Sequence, residues 1–183
     1  MLLKIVNVGD PILRRKARAL DPDEIRSARI QDLIAWMRDT MHDAPGVGLA
    51  APQVGESLQF AVIEDRAEYH KNVSEADLKE RERKPVEFHV IINPQIELLA
   101  PPDVAFHEGC LSLPGFMAVV PRARKVRVIC LDERGKPRTI EASGWYARIL
   151  QHEIDHLDGR IYIDRMRSES FSTLENYQKS QKK

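Results

Sequence analysis

The segment 151–159 contains the pattern His-Glu-x-x-His at His152, Glu153 and His156. This pattern constrains the fold most, because its side chains converge only if the segment is an α-helix. Each helical residue turns by about 100°, so histidines four positions apart share one face and can bind one divalent metal. Glu153 lies on a flank from which its carboxylate can accept a proton from a water that the metal activates. The segment therefore predicts metal-assisted hydrolysis, although an amphipathic helix with two solvated histidines would carry the same residues.

A catalytic metal usually needs a third protein ligand. One longer form of the pattern ends in histidine where this chain has Tyr162, which excludes that form. Glu169 and Glu175 lie at suitable distances along the chain, but neither has the sequence context of a thermolysin-like peptidase. Cys130 lies in an apolar run that is typical of a buried strand. Cys110, in the segment Glu-Gly-Cys-Leu-Ser, is a stronger candidate for the third ligand than Cys130 or the two glutamates.

The composition argues against several classes of protein. The 183 residues carry 28 Lys and Arg against 28 Asp and Glu, so the formal net charge is zero and indicates neither nucleic-acid nor membrane binding. No stretch approaches the ~20 apolar residues of a membrane-spanning helix, and residues 1–5 are too short an apolar start for a signal peptide. Two cysteines in these contexts do not indicate a disulfide scaffold. We expect a cytoplasmic protein.

The hydrophobic pattern predicts helices at two places. Residues 21–43 begin with helix-start signals and continue with helical apolar spacing, and a motif helix covers 144–157 with Gly159 just beyond its end. The charged segment 64–87 is either a solvated loop with a short helix near 75–83 or a lid over a substrate groove. Strands are predicted at 58–63, 88–92, 125–131 and 138–142.

These elements indicate an α+β fold. We expect largely antiparallel sheets packed around a central metal-binding helix, with an N-terminal and a C-terminal helix. One domain is expected over residues 1–183, with a core at about 4–166 and a basic C-terminal helix or tail at 167–183.

Three segments, 46–55, 108–112 and 151–159, resemble those of peptide deformylase and occur in that family's order. The start at 9–14 also resembles the family's amino-terminal segment, so the resemblance covers roughly residues 4–166. The sequence Ala-Ser-Gly-Trp at 142–145 is similar to a subgroup shared by organellar deformylases and some bacterial ones.

The resemblance implies removal of the formyl group from the amino-terminal formylmethionine of nascent polypeptides. It implies one divalent metal ion per chain, held by Cys110, His152 and His156. The native ion would be Fe2+, with Zn2+, Ni2+ or Co2+ able to replace it. Glu153 would act as the proton acceptor, while the Gln53 side chain and the Leu111 backbone N–H would bind the oxyanion. Formylated nascent peptides are the expected partners, with the ribosome near its exit tunnel as a further candidate; no nucleic-acid or membrane partner is expected.

The resemblance also implies a groove for an extended peptide. Gly48 would lie near the substrate main chain. A methionine-sized pocket would be lined by Val47, Phe106, Trp145, Arg148 and Ile149. The chain departs from many deformylases at Met117, where they carry an arginine that helps to hold the peptide; Arg122 or Arg124 could replace it.

Two other functions fit part of the sequence. A His-Glu-x-x-His metallopeptidase would take Glu or His as its third ligand and would remain active after replacement of Cys110. A non-enzymatic module with a structural zinc would have a fourth protein ligand and would not need Glu153.

Overall fold

Eight strands form two antiparallel sheets in the computed structural model, which describes residues 1–180. The strands are β1 Gly48–Ala50, β2 Phe60–Asp65, β3 Val86–Leu98, β4 Val104–Cys110, β5 Leu113–Arg122, β6 Lys125–Leu131, β7 Pro137–Ser143 and β8 Ser172–Thr173. The larger sheet has the order β1-β2-β3-β6-β7, and the smaller has the order β4-β5-β8. Every pair in both sheets is antiparallel.

Five α-helices accompany the sheets within the described residues. They are α1 Pro22–Ile25, α2 Ala28–Asp43, α3 Glu75–Glu80, α4 Gly144–Leu157 and α5 Leu174–Ser180. None of them is both long and apolar enough to cross a membrane. The expected α+β fold with antiparallel sheets and terminal helices is therefore confirmed.

The long helix α4 lies between the two sheets. Its apolar residues Ala147, Leu150 and Ile154 belong to one buried cluster with residues of the larger sheet. On its other side, a buried ion pair joins Asp155 of α4 to Arg122 of β5. Because both sheets hold α4, its side chains are fixed in place by packing rather than by the helix alone.

Several predicted boundaries agree with the structure and others differ. The predicted strand 125–131 and motif helix 144–157 have the bounds of β6 and α4. The helix predicted at 21–43 is interrupted, because Ser27 accepts a hydrogen bond from the Ile30 N–H and starts α2 as a separate helix. The last helix begins at Leu174, later than expected, and the end of the basic tail lies outside the described residues.

The hairpin of β4 and β5 was not predicted. Strand β4 buries the polar residue Glu108 and leaves Cys110 only partly buried. Its sequence therefore lacks the regular alternation of polar and apolar residues from which a strand is predicted. The short strands β1 and β8 were also not predicted. The segment 64–87 contains α3, at the position expected for a short helix.

Candidate active site

Three possible metal ligands meet where β4 ends beside α4. Cys110 is the last residue of β4, while His152 and His156 are one turn apart on α4. Their ligand atoms all lie within 4.8 Å of one another, and Cys110 Sγ is 3.3 Å from His156 Nε2. Cys130, by contrast, lies in the buried core on β6. A thiolate and two imidazoles form a donor set that suits zinc, iron and similar divalent ions.

A buried carboxylate orients one of the two histidines. Glu108 Oε2 lies 2.9 Å from His152 Nδ1, so Nε2 is the nitrogen left for an ion. The same carboxylate accepts hydrogen bonds from Arg122 at 2.9 and 3.0 Å and from Arg148 at 2.7 Å. Burial opposes its ionisation, but Arg122 and His152 outweigh burial and hold the pKa of Glu108 well below its usual range. Such a support fixes the ring orientation of a ligand histidine.

The protonation of the two histidines is consistent with a site for a cation. Burial, together with the charges of His152 and Arg122, lowers the pKa of His156 well below its ordinary value. Burial would also lower the pKa of His152, but hydrogen bonds to Cys110 and Glu108 outweigh it and raise that pKa well above the ordinary value. The protonated form of the His152 imidazole is therefore favoured beside Cys110 and Glu108. A metal ion bound there would replace this proton, because metal ligands must be deprotonated.

Glu153 lies beside the triad in a confined space. Its side chain is buried, and its Oε2 has no hydrogen-bond partner among residues 1–180. Burial raises the pKa of Glu153 to about 7. A Cβ atom added to Gly48 of β1 would lie 2.3 Å from Glu153 Oε1, so only glycine leaves room for the carboxylate there. A carboxylate with a pKa near neutrality can accept a proton and return it.

An amide donor points toward the triad. Gln53 lies in a short 3₁₀ turn, and its Oε1 accepts a 2.9 Å hydrogen bond from the Ala50 N–H. Its Nε2 is 3.5 Å from Cys110 Sγ and 3.2 Å from Ser112 Oγ. Since the Ala50 contact fixes which end is the donor, the amide is oriented before any ligand binds. Leu111, the other residue predicted to bind the oxyanion, lines one cavity together with Gln53.

A cavity of about 440 Å³ opens in front of these residues. It is lined by Cys110 and His152 of the triad, by Glu153 and Gln53, and by Val47, Gly48, Leu111, Trp145, Arg148 and Ile149 of the predicted set, whereas His156 is not among its lining residues. Residues from four separate parts of the chain therefore share one cavity, whose volume suits a short peptide segment.

Phe106 is placed differently from the expectation. It is not among the residues that line this cavity, but lines a smaller neighbouring cavity of about 180 Å³. Its ring centroid is 6.3 Å from that of Trp145. Phe106 therefore lies near Trp145 but contributes to the wall of the smaller cavity.

Many deformylases carry an arginine at the position of Met117, and Arg122 or Arg124 was a candidate to replace it. Neither of these two arginines lines the larger cavity. Arg122 is buried and bonded to Glu108 and Asp155, while Arg124 is exposed and paired with Glu82. Met117 itself lines the larger cavity.

Sequence reasoning missed several residues of the site. Asp155 accepts two 2.7 Å hydrogen bonds from Arg165 and pairs with Arg122, which fixes α4 against β5. Arg81 and Leu174 also line the larger cavity. The position of Glu108, two residues before Cys110, could have identified it from the sequence as part of the site. The sequence contains no such signal for Arg81 and Leu174, because they reach the cavity only through contacts distant in sequence.

A model of the family described as polypeptide deformylase matches residues 2–172. The chain is 47% identical over 172 residues to "Peptide deformylase 1A, chloroplastic" of Solanum lycopersicum, covering 94% of this chain and 62% of the relative. It is 46% identical over 175 residues to "Peptide deformylase 1A, chloroplastic/mitochondrial" of Arabidopsis thaliana, covering 96% of this chain and 65% of that relative. The chain thus spans a little under two thirds of both plant proteins.

The fold is also similar to solved structures. A Met-Ala-Ser-bound class I type b peptide deformylase from Acinetobacter baumannii superposes with a TM-score of 0.80 at 30% identity, covering 91% of this chain and 99% of that one. The similarity therefore extends over both sheets and α4, the elements that position the triad.

Proposed function

This chain belongs to the polypeptide deformylase family, and on that premise we propose that it removes the N-formyl group from the amino-terminal formylmethionine of newly made polypeptides. The observation that carries the proposal is the triad of Cys110, His152 and His156 beside the buried carboxylate of Glu153. Cys110, His152 and Glu153 line one cavity that is large enough for a peptide end, and the buried His156 adjoins Cys110.

The protein groups have separate roles in this hydrolysis. A divalent ion held by Cys110, His152 and His156 would supply a Lewis acid and an activated water. Glu153 would take up the proton released by the attacking water and deliver it to the departing amine nitrogen. Its pKa of about 7 suits both transfers near neutral pH. Gln53 Nε2 and the Leu111 N–H would donate to the oxygen of the formyl group as negative charge develops on it.

The same cavity offers a position for the first side chain of the substrate. Trp145 and Ile149 are four residues apart on α4 and share one face, and both line the cavity with Val47. Strand β1 is an edge strand of the larger sheet and its Gly48 lines the cavity, which supports binding of an extended peptide as an added strand. We propose that methionine occupies the space against Trp145.

We propose Fe2+ as the native ion, because the resemblance to deformylases implies it. Zn2+, Ni2+ or Co2+ could replace it, because the donor set of one thiolate and two imidazoles accepts all four. Formylated nascent chains are the proposed substrates, and the protein would act on them in the cytoplasm as they emerge from the ribosome. An anionic thiolate beside an oxidisable ion suits a reducing compartment.

The decisive experiment combines metal analysis with hydrolysis of formyl-Met-Ala on one anaerobically purified sample. We expect about one metal ion per chain and release of formate in proportion to the metal content. Acetyl-Met-Ala and an internal peptide bond serve as matched substrates. Cleavage of the internal bond without release of formate would instead identify a metallopeptidase, and one tightly bound zinc without any hydrolysis would identify a structural site.

A further inference from the structure

Arg81, at the end of α3, reaches the wall of the larger cavity from a segment outside the catalytic elements. Its guanidinium carbon lies 5.2 Å from the ring centroid of Trp145 and 5.7 Å from that of Phe106. It lines both the larger and the smaller cavity. Arg81 therefore covers the aromatic wall against which the first side chain of the substrate is proposed to lie.

Arg81 lacks the partners that its arginine neighbours have. Its Nε is buried and has no hydrogen-bond partner among residues 1–180. Two carboxylates near it are already engaged with other arginines, since Glu82 pairs with Arg124 and Glu108 pairs with both Arg122 and Arg148. A buried donor without an acceptor is costly, so this guanidinium is suited to an acceptor that arrives with a ligand.

The backbone that carries Arg81 is held firmly. Arg83, two residues on, makes two 2.8 Å hydrogen bonds to the buried carboxylate of Asp65. A Cβ added to Gly144, the first residue of α4, would lie 2.8 Å from the carbonyl oxygen of Arg81, so the two backbones are in close contact. Glu82 has a positive φ of 48°, a strained conformation that such packing must maintain. The support fixes where the side chain of Arg81 begins.

We propose that Arg81 is a specificity-determining residue that binds an acidic side chain at the third residue of the substrate peptide. The inference rests on the proposed function. Along an extended strand, alternate side chains point to the same side. If the first side chain lies against Trp145, the third points to the same wall, where Arg81 lies over the indole ring. A carboxylate there would lie beside the guanidinium of Arg81, which lines the cavity.

The test uses the metal-loaded protein and peptides of the form formyl-Met-Ala-Xaa-Ala-amide, with Glu, Gln or Lys at Xaa. The terminal amide removes the other carboxylate. We expect kcat/KM for Glu to exceed that for Gln by about fivefold, as a partly exposed ion pair gives, and Lys to fall below Gln. Arg81→Gln should bring the Glu to Gln ratio close to one, while Arg81→Lys should keep part of it.

Arg134→Gln is the matched control, because it removes one positive charge from an exposed turn and should keep the ratio. A second series, formyl-Met-Xaa-Ala-Ala-amide, should show no preference for Glu; a preference there instead of at the third position would overturn the assignment.

Binding of the deformylated products Met-Ala-Xaa-Ala-amide gives a readout that does not need catalysis. We expect the Kd for the Glu product to be about fivefold lower than for the Gln product in the parent, and equal in Arg81→Gln. Efficient hydrolysis with equal rates and equal Kd values for Glu and Gln would overturn the inference and leave deformylation intact. Absence of formate release with a Kd preference that Arg81→Gln abolishes would overturn the proposed function and leave the contact intact.

Discussion

At the scale of single residues, the chemistry depends on carboxylates with opposite environments. Glu108 is surrounded by Arg122, Arg148 and His152, which outweigh burial and favour its charged form. Glu153, almost adjacent in space, lacks such partners and is buried, so its pKa rises to about 7. One carboxylate therefore serves as a fixed anion and the other as a group that can exchange a proton.

The variant Glu153→Gln should bind metal as the parent does, and its activity should fall by ~10²–10⁴-fold. The change keeps the size of the side chain and removes its ability to accept a proton. The measurement is formate release at equal metal content. Activity within a few-fold of the parent would show that Glu153 is not the proton acceptor.

Replacement of Cys110 by Ser should strongly reduce the metal content, because a neutral hydroxyl is a weak ligand for a divalent ion of this class. Cys130→Ser is the control, since that thiol is buried in β6 away from the triad and its loss should lower only stability. Metal content is measured by elemental analysis of both variants. If the Cys130 variant alone lost metal, the ligand assignment would be wrong.

At the scale of elements, the site depends on how closely β1 approaches α4. The gap between Gly48 and Glu153 admits no side chain. Because β1 also pairs with β2, whose partner β3 is a central strand of the larger sheet, the sheet fixes this gap. The groove proposed for the substrate and the proposed proton acceptor are therefore positioned by one contact between a strand and a helix.

Gly48→Ala should reduce activity by about 10²-fold, the effect of displacing a catalytic group by roughly 1 Å. The added methyl would push the flexible carboxylate of Glu153 aside, so the thermal midpoint should change little. Gly109→Ala is a suitable comparison, because its Cβ would meet only the Phe116 carbonyl oxygen at an ordinary 3.5 Å. Equal activity losses in both variants would argue against the proposed displacement.

At the scale of the whole molecule, one buried histidine links stability to pH. Burial outweighs the 2.9 Å hydrogen bond from His89 Nδ1 to the Glu87 carbonyl and lowers the pKa of His89. Arg138 adds to this effect, and Glu133 opposes it. Below the unfolded pKa of about 6.5, the unfolded chain binds a proton that the native protein excludes. Stability from this group is therefore present at higher pH and is lost as the pH falls below about 6.5 toward the lower native pKa.

The variant His89→Gln should show a smaller loss of unfolding free energy than the parent as the pH falls from about 7.5 to 5.5. The difference in slope cannot exceed ~1.4 kcal/mol per pH unit, the limit for one proton. Urea unfolding at a series of pH values measures it. Parallel curves for the two proteins would contradict a role for His89, and the offset between them would report the packing of His89 against Tyr146 together with their 2.9 Å hydrogen bond.

The sequence alone was sufficient for the elements with a regular pattern. Helix α4 combines apolar periodicity with a glycine after its end, and β6 is rich in β-branched residues with Val126, Val128 and Ile129, so both were predicted at their observed bounds. The triad also followed from the sequence, because its ligands lie in short motifs. Arg81 could not be predicted to line the cavity, since its placement depends on the contact of its backbone with Gly144. The role of Glu108 as a buried support depends likewise on arginines from β5 and α4.

The triad joins two parts of the chain that are far apart in sequence, with β5, β6 and β7 between Cys110 and His152. An ion bound there would act as a reversible cross-link between strand and helix. Since the unfolded chain does not hold these ligands together, the native state would gain RT ln(1 + [metal]/Kd). The thermal midpoint should then rise with free metal concentration and fall on addition of a chelator, and Cys110→Ser should abolish this dependence. The amount of metal in the surroundings would thus shift how much of the protein is folded at a given temperature.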